Sequence, residues 1–179
     1  LEFDLESQKP PATMFDGEVE VDNHYYRYHA LTRCSIDGNI TFDGSRHEVT
    51  GLAHIENLRG AFTGAKWDWF AFWTGNGAEL KLVDLYGNWE NKQYAMYVDP
   101  DGNILSMDNL TIEVTSLKNG LGYSWEVSSD RYDIDLNFTC VEERTEYNGF
   151  AVGFGRVTGS LMGEEIDTVT YIEVTKPRR

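Results

Sequence analysis

YYRYHALTRCSIDGNITFDGSRHEV, residues 25–49, decides the fold. Aromatic and β-branched side chains recur there at alternate positions, and Asp-Gly pairs stand at 37–38 and 43–44, the dipeptide preferred in two-residue hairpins. The stretch predicts a strand that turns at Asp37-Gly38 into the segment 39–42 and turns again at Asp43-Gly44. Two hairpins in succession make an antiparallel meander.

The same pattern repeats along the chain. WDWFAFW, AELKLVDLYG, KQYAMYV, LTIEVTSL, GYSWEVSS, RYDIDLNFTCVEE, GFAVGFGRVTGSLMG and IDTVTYIEVT each alternate and close on Gly, Asn or Asp. Turns are expected at Gly75-Asn76-Gly77, at 99–102 (DPDG) and at Asn119-Gly120. No segment carries a helical period of useful length. The chain is read as all-β, with about ten strands in an antiparallel meander that closes on itself as a barrel and so removes its exposed edges. A barrel of that size encloses room for one small ligand. Residues 1–16, with two adjacent prolines, form an extended lead-in, and 17–176 form the single barrel domain.

Composition narrows the function. Thirty acidic against fifteen basic residues give a net charge of -15, which repels phosphate backbones and anionic headgroups, so neither nucleic acid nor membrane insertion is expected. Aromatics make up 13% of the chain, enough to line a cavity, and point to a hydrophobic small molecule as partner. Cys34 and Cys140 are read as buried free thiols. The chain begins at Leu1, so a removed leader, and with it the compartment, stays open.

There is no nucleophile elbow, Walker loop or zinc spacing, and the four histidines share no ligand geometry, so neither metal nor cofactor is expected. The glycine run at 153–159 sits in a β segment and reads as strand bends. The pairs Glu142-Glu143 and Glu164-Glu165 read as solvated turn charges. One segment survives this filter: Glu56 and Asn57, with His54 before them and Arg59 after, bracketed by Gly51, Gly60 and Gly64. The next strand opens with Trp67 and Trp69 on one face and Asp68 on the other. A carboxylic acid beside indole rings is poorly solvated when ionised, so Glu56 is expected to have a raised pKa and to act as a general acid. Asn57, His54 and Asp68 are its expected helpers, with His54 as the alternative acid or base. The competing reading pairs Glu56 with Arg59 or Arg33 as a structural pin. Trp67, Trp69, Tyr26, Tyr28, Arg33, Phe72, Tyr97 and Trp125 are the expected ligand contacts.

KPPATMFDGE, HYYRYHALTRCSIDGNITFDGSRHEVTGLAHIENLRG, WDWFAFWTGNGAELKLVDLYG and GRVTGSLMGEEIDTVTYIEV resemble, in order, the hydroxyneurosporene synthase-like group of lipocalin-like proteins, which includes carotenoid hydratases. The resemblance implies a lipocalin-like (calycin) β-barrel corresponding to the C-terminal half of a tandem fold. It implies cofactor-free, proton-initiated hydration, isomerisation or cyclisation. The family pattern Gly-x-Ala-Trp-x-Asp-His-Glu-Trp-Gly matches residues 51–60 here, where an acid is kept as Glu56 while the histidine, the second acid and both tryptophans are replaced. A noncatalytic carrier with the same pocket, and a carbohydrate-binding β-sandwich, are the other readings.

Overall fold

The structure, a computed structural model, describes residues 1–21, 24–60, 65–87, 91–147 and 149–175. Gly64, the Lys176 end of the expected domain and the side chains of Glu142 and Glu143 lie outside the described residues. Every described element is a strand, and every pairing is antiparallel. In chain order they are β1 (Glu2–Ser7), β2 (Ala12–Val21), β3 (His24–Phe42), β4 (Ser45–Arg59), β5 (Lys66–Trp73), β6 (Glu79–Tyr86), β7 (Lys92–Val98), β8 (Ile104–Met107), β9 (Thr111–Lys118), β10 (Leu121–Ser129), β11 (Ile134–Tyr147), β12 (Phe150–Leu161) and β13 (Glu164–Thr175).

Nine of these curl into one sheet in the order β8-β7-β6-β5-β13-β12-β11-β10-β9. Short β8 leaves a seam, and Gln93 of β7 bridges it to β9: its Nε2 donates to Ile112 O at 2.8 Å and its Oε1 accepts from Ile112 N at 3.1 Å. The result is the lipocalin-like, nearly closed barrel expected from the alternation. Its interior is filled by Phe70, Leu82, Trp125, Phe138, Val157 and Ile172 with their neighbours, and each large side chain buried there contributes about 1.5–3 kcal/mol. The glycine run 153–159 lies within β12.

The first four strands are not staves of this barrel. β3 pairs β4 along one edge and β2, then β1, along the other, and this second sheet lies against the outside of β5, β6 and β7. A second core forms where Met14, Tyr26 and Tyr28 meet Trp69, Val83 and Met96. β6 is buried along its whole length because it has the barrel core on one face and the second sheet on the other.

One expected turn is absent. β3 runs straight through Asp37-Gly38, and Gly38 serves a close approach: a Cβ there would lie 2.1 Å from Glu2 O and 2.8 Å from the Phe3 Cα of β1. Asp43-Gly44 is the real hairpin, with φ of 48° and 76°, and Asn119-Gly120 repeats it at 56° and 73°. At 99–102 the chain turns as expected, with Gly102 N donating to Asp99 O at 3.0 Å. Cys34 and Cys140 are buried thiols in different sheets, and neither is in a disulfide.

Candidate active site

Alternation decides which side chains meet. Along β5, Asp68, Phe70 and Phe72 point into the barrel, while Trp67, Trp69, Ala71 and Trp73 point outward to the second sheet. The sequence reading set the two tryptophans inside the barrel; the sheet formed by β2, β3 and β4 covers the outer face instead and makes that face an interior. The cleft between the sheets has two lobes that share Glu56. The larger, about 410 Å³, is lined by His54, Glu56, Trp73, Lys81, Phe154 and Tyr171, among others. A smaller lobe of about 200 Å³ is lined by Tyr28, Glu56, Trp67, Trp69, Leu58 and Glu173, among others.

Residues 51–59 are not a loop but part of β4, so His54, Glu56 and Leu58 share one face. A bulge in the β3 pairing, between Leu31 and Cys34, falls opposite His54 and re-aims the strand there. Tyr28 Oη donates to Glu56 Oε2 at 2.8 Å, and His54 Nε2 lies 3.0 Å from the same oxygen. Glu56 is 30% exposed in its side chain and His54 18%. Burial pushes the Glu56 carboxyl up, but hydrogen bonds from His54 and Tyr28, with the charges of His54 and Lys81, outweigh it and hold the group below the usual carboxylate range. The raised-pKa acid expected at Glu56 is therefore overturned: Glu56 is a carboxylate. Its partners are also not those of the alternative reading, since Arg59 Nε donates to Asn57 Oδ1 at 3.0 Å and Arg33 Nε lies 2.8 Å from Glu79 Oε1.

The ionised Glu56 oxygen favours an N–H on His54 Nε2, the nitrogen that faces it, and in the neutral imidazole of that tautomer Nδ1 keeps its lone pair. His54 Nδ1 is buried with no hydrogen-bond partner among the described residues, and so is the indole N–H of Trp69 in the smaller lobe. Buried polar atoms are normally satisfied, so two orphans in one cleft mark places for a ligand's polar atoms.

The raised acid is Glu173, which the sequence reading missed. It stands on β13 opposite Trp69, accepts from Tyr171 Oη at 2.8 Å and from Trp67 Nε1 at 3.4 Å. Burial pushes its carboxyl up; the Tyr171 and Trp67 hydrogen bonds and His54 oppose this, while the charge of Glu56 adds to it, and the net shift is upward. Lys81 was missed as well. It is 1% exposed, and burial pushes its ammonium down to about 8, against the pull of Glu79 and Glu56 and with the push of Arg33 and Lys9.

Of the expected ligand contacts, Tyr26, Tyr28, Trp67 and Trp69 line the smaller lobe; Phe72 borders the larger, but its ring turns into the barrel core and packs 6.0 Å from Phe138. The structure does not bring the others into the cleft. Trp125 is buried in the barrel, where its Nε1 donates to Asp68 Oδ2 at 2.7 Å. Asp68, also fully buried, accepts from Tyr86 Oη at 3.0 Å and faces away from Glu56, so it is a core anchor and not a helper. Tyr97 packs on the barrel core. Arg33 and Lys9 hold the buried Glu79 beyond the end of the larger lobe, Lys9 at 3.0 Å. The Arg33 Nε–H is not aligned on the carboxylate, so the pair is one of charge proximity. Asn57 faces solvent and holds Arg59.

No family model matches the chain, and no curated protein matches it in sequence. Its fold is similar to that of two solved proteins. Kievitone hydratase from Nectria haematococca aligns with a TM-score of 0.78 at 12% identity, over 98% of this chain and 61% of that one. A Nitrosomonas europaea protein described as an AttH aligns with a TM-score of 0.73 at 19% identity, over 98% of this chain and 61% of the other. The present chain thus spans 61% of the length of each. At these identities the likeness is one of fold: the chain has the all-β, lipocalin-like architecture of these two proteins.

Proposed function

We propose that the protein adds water to, or removes it from, a carbon–carbon double bond of an apolar unsaturated molecule held between the two sheets, without a cofactor. The observation that carries this reading is the pair of carboxyl groups in one apolar cleft whose environments push them apart, Glu56 down and Glu173 up. Such divergence assigns roles: the raised acid donates, the lowered one stays charged. Glu173 delivers its proton to one alkene carbon, and the Trp67 and Trp69 ring faces stabilise the positive charge that develops on the other. His54 Nδ1 takes a proton from water as its oxygen bonds to that carbon, and Glu56 steadies the imidazolium through Nε2–H. The resemblance of residues 51–60 to carotenoid hydratases and the fold shared with a hydratase favour this chemistry over isomerisation or cyclisation, which begin with the same protonation.

The competing reading is a carrier without chemistry, favoured by the apolar side chains that make up most of the larger lobe. Sugar binding has less support, because Trp69 and Trp125 are buried and offer no exposed stacking platform. The test incubates the protein with polyenes, terpenoids and prenylated phenols and follows both indole emission and the appearance of a product that has gained or lost one water. The account expects emission changes and turnover together, with turnover lowered about a hundredfold in Glu173→Gln, the usual scale for a lost general acid. Emission changes without product from any member of the panel leave the carrier.

A further inference from the structure

A buried lysine with nothing to pair with is rare, because an unpaired ammonium is costly to desolvate. Lys81 is such a residue. Its Nζ makes no hydrogen bond or ion pair among the described residues and stands over the Trp73 ring, 6.0 Å from the centroid, while Glu79 and Glu56 act on it only through their charges. The charged groups around it are engaged elsewhere: Glu79 lies between Lys9 and Arg33, and Glu56 accepts from Tyr28 and faces His54. What remains in front of the amine is the larger lobe, walled by Ala71, Phe72, Trp73, Phe154 and Val169.

We propose that Lys81 is a nucleophile, and that the larger lobe accepts an apolar aldehyde or ketone which Lys81 captures as an imine. The proposal rests on the cleft being the ligand site. The neutral amine adds to the carbonyl carbon; the C–N bond forms as the C=O π pair moves to oxygen. His54, in the wall of the same lobe, carries one proton from the ammonium nitrogen to that oxygen, which makes the carbinolamine; it then protonates the hydroxyl, which leaves as water while the nitrogen lone pair closes the C=N bond, and it recovers that proton from the iminium nitrogen. Amine and carbonyl become imine and water, with no change of oxidation state. A lysine desolvated in an apolar pocket beside other cations is the setting that activates amines for this step. With its ammonium at about 8, roughly a tenth of Lys81 is neutral at pH 7, against fewer than one in a thousand for an ordinary lysine.

Hydrocinnamaldehyde with cyanoborohydride, followed by peptide mapping, reads the outcome. Exposed Lys118 and ion-paired Lys9 are internal controls. The expected result is reduced adduct on Lys81 at least about tenfold faster than on Lys118 at pH 7, levelling off above about pH 8, the value to which burial brings its ammonium. Lys81→Arg should fold, keep the charge and lose that adduct only. Lys81 labelled no faster than Lys118 overturns the proposal, and this comparison needs no variant. Indole emission after adding the aldehyde without reductant reports entry into the cleft separately. Emission that responds while Lys81 stays unmodified removes the nucleophile and leaves the cleft; emission and Lys81 both silent remove the two together.

Discussion

Tyr28 of β3 donates its hydroxyl proton to Glu56 Oε2 of β4 at 2.8 Å, tying the aromatic floor of the cleft to its carboxylate. Burial raises the Tyr28 phenol, and the Glu56 charge raises it further, so the pair is locked as phenol and carboxylate through the physiological range. Tyr28→Phe removes one of the groups that hold the Glu56 carboxyl low. A group whose folded pKa is depressed stabilises the protein above its unfolded value, and that stabilisation is lost as pH falls through the folded value. Urea unfolding of Tyr28→Phe should therefore show a loss of about 1 kcal/mol at neutral pH and a smaller further loss on acidification than the parent. Identical acid dependence in the two proteins would show that Tyr28 does not set the state of Glu56.

Glu173 has the opposite sign. Its folded pKa is raised, so its contribution is fully present below the unfolded value and is lost as pH rises through the folded one. Glu173→Gln should stabilise the protein at neutral pH while costing turnover. In the pH profile, Glu173 sets the alkaline limb, which Glu173→Gln should remove; Glu56→Gln withdraws the charge that steadies the imidazolium and should lower turnover by about a hundredfold while leaving that limb in place. Both variants changing the same limb would contradict the division of roles.

Asp68 accepts from Trp125 and Tyr86 inside the barrel, away from the cleft. Asp68→Ala leaves the Trp125 N–H buried without that acceptor, and the loss should be about 2–5 kcal/mol, read as a lower melting temperature. A full loss of turnover with unchanged melting would instead give Asp68 a chemical role.

Lys81 is held at about 8, below the ordinary lysine value, so between about pH 8 and 10.5 the unfolded chain binds a proton that the folded one does not. Stability should rise with pH through that window. Lys81→Met removes the rise and should stabilise the protein at pH 7 by on the order of 3 kcal/mol. A melting temperature lowered by Lys81→Met would mean that the lysine has a partner in the fold.

The strands were legible because alternation and turn chemistry are local. Asp43-Gly44 and Asn119-Gly120 adopt the positive φ that their composition announces. Asp37-Gly38 did not, because its glycine answers to β1, which reaches β3 from thirty-odd residues away in sequence. The same distinction governs the site. His54, Glu56 and Trp69 could be found since they crowd two consecutive strands, and Tyr28 since it belongs to an aromatic alternation. Lys81 and Glu173 sit in strands where a charge reads as the solvated face. That face is buried only because the second sheet lies on it, and nothing local in ELKLVDLY or TYIEV announces that cover. Period two had already set Asp68 opposite Trp67 and Trp69, and the structure turns that opposition into separate compartments, core and cleft.

The position of a bound apolar ligand tests the account most directly. A crystal structure of the protein soaked with farnesol should show density between β4 and the outer faces of β5, β6 and β13, against Trp69 and within hydrogen-bond reach of His54 Nδ1 or Glu173. Density inside the barrel, against Phe138 and Leu136, would contradict it.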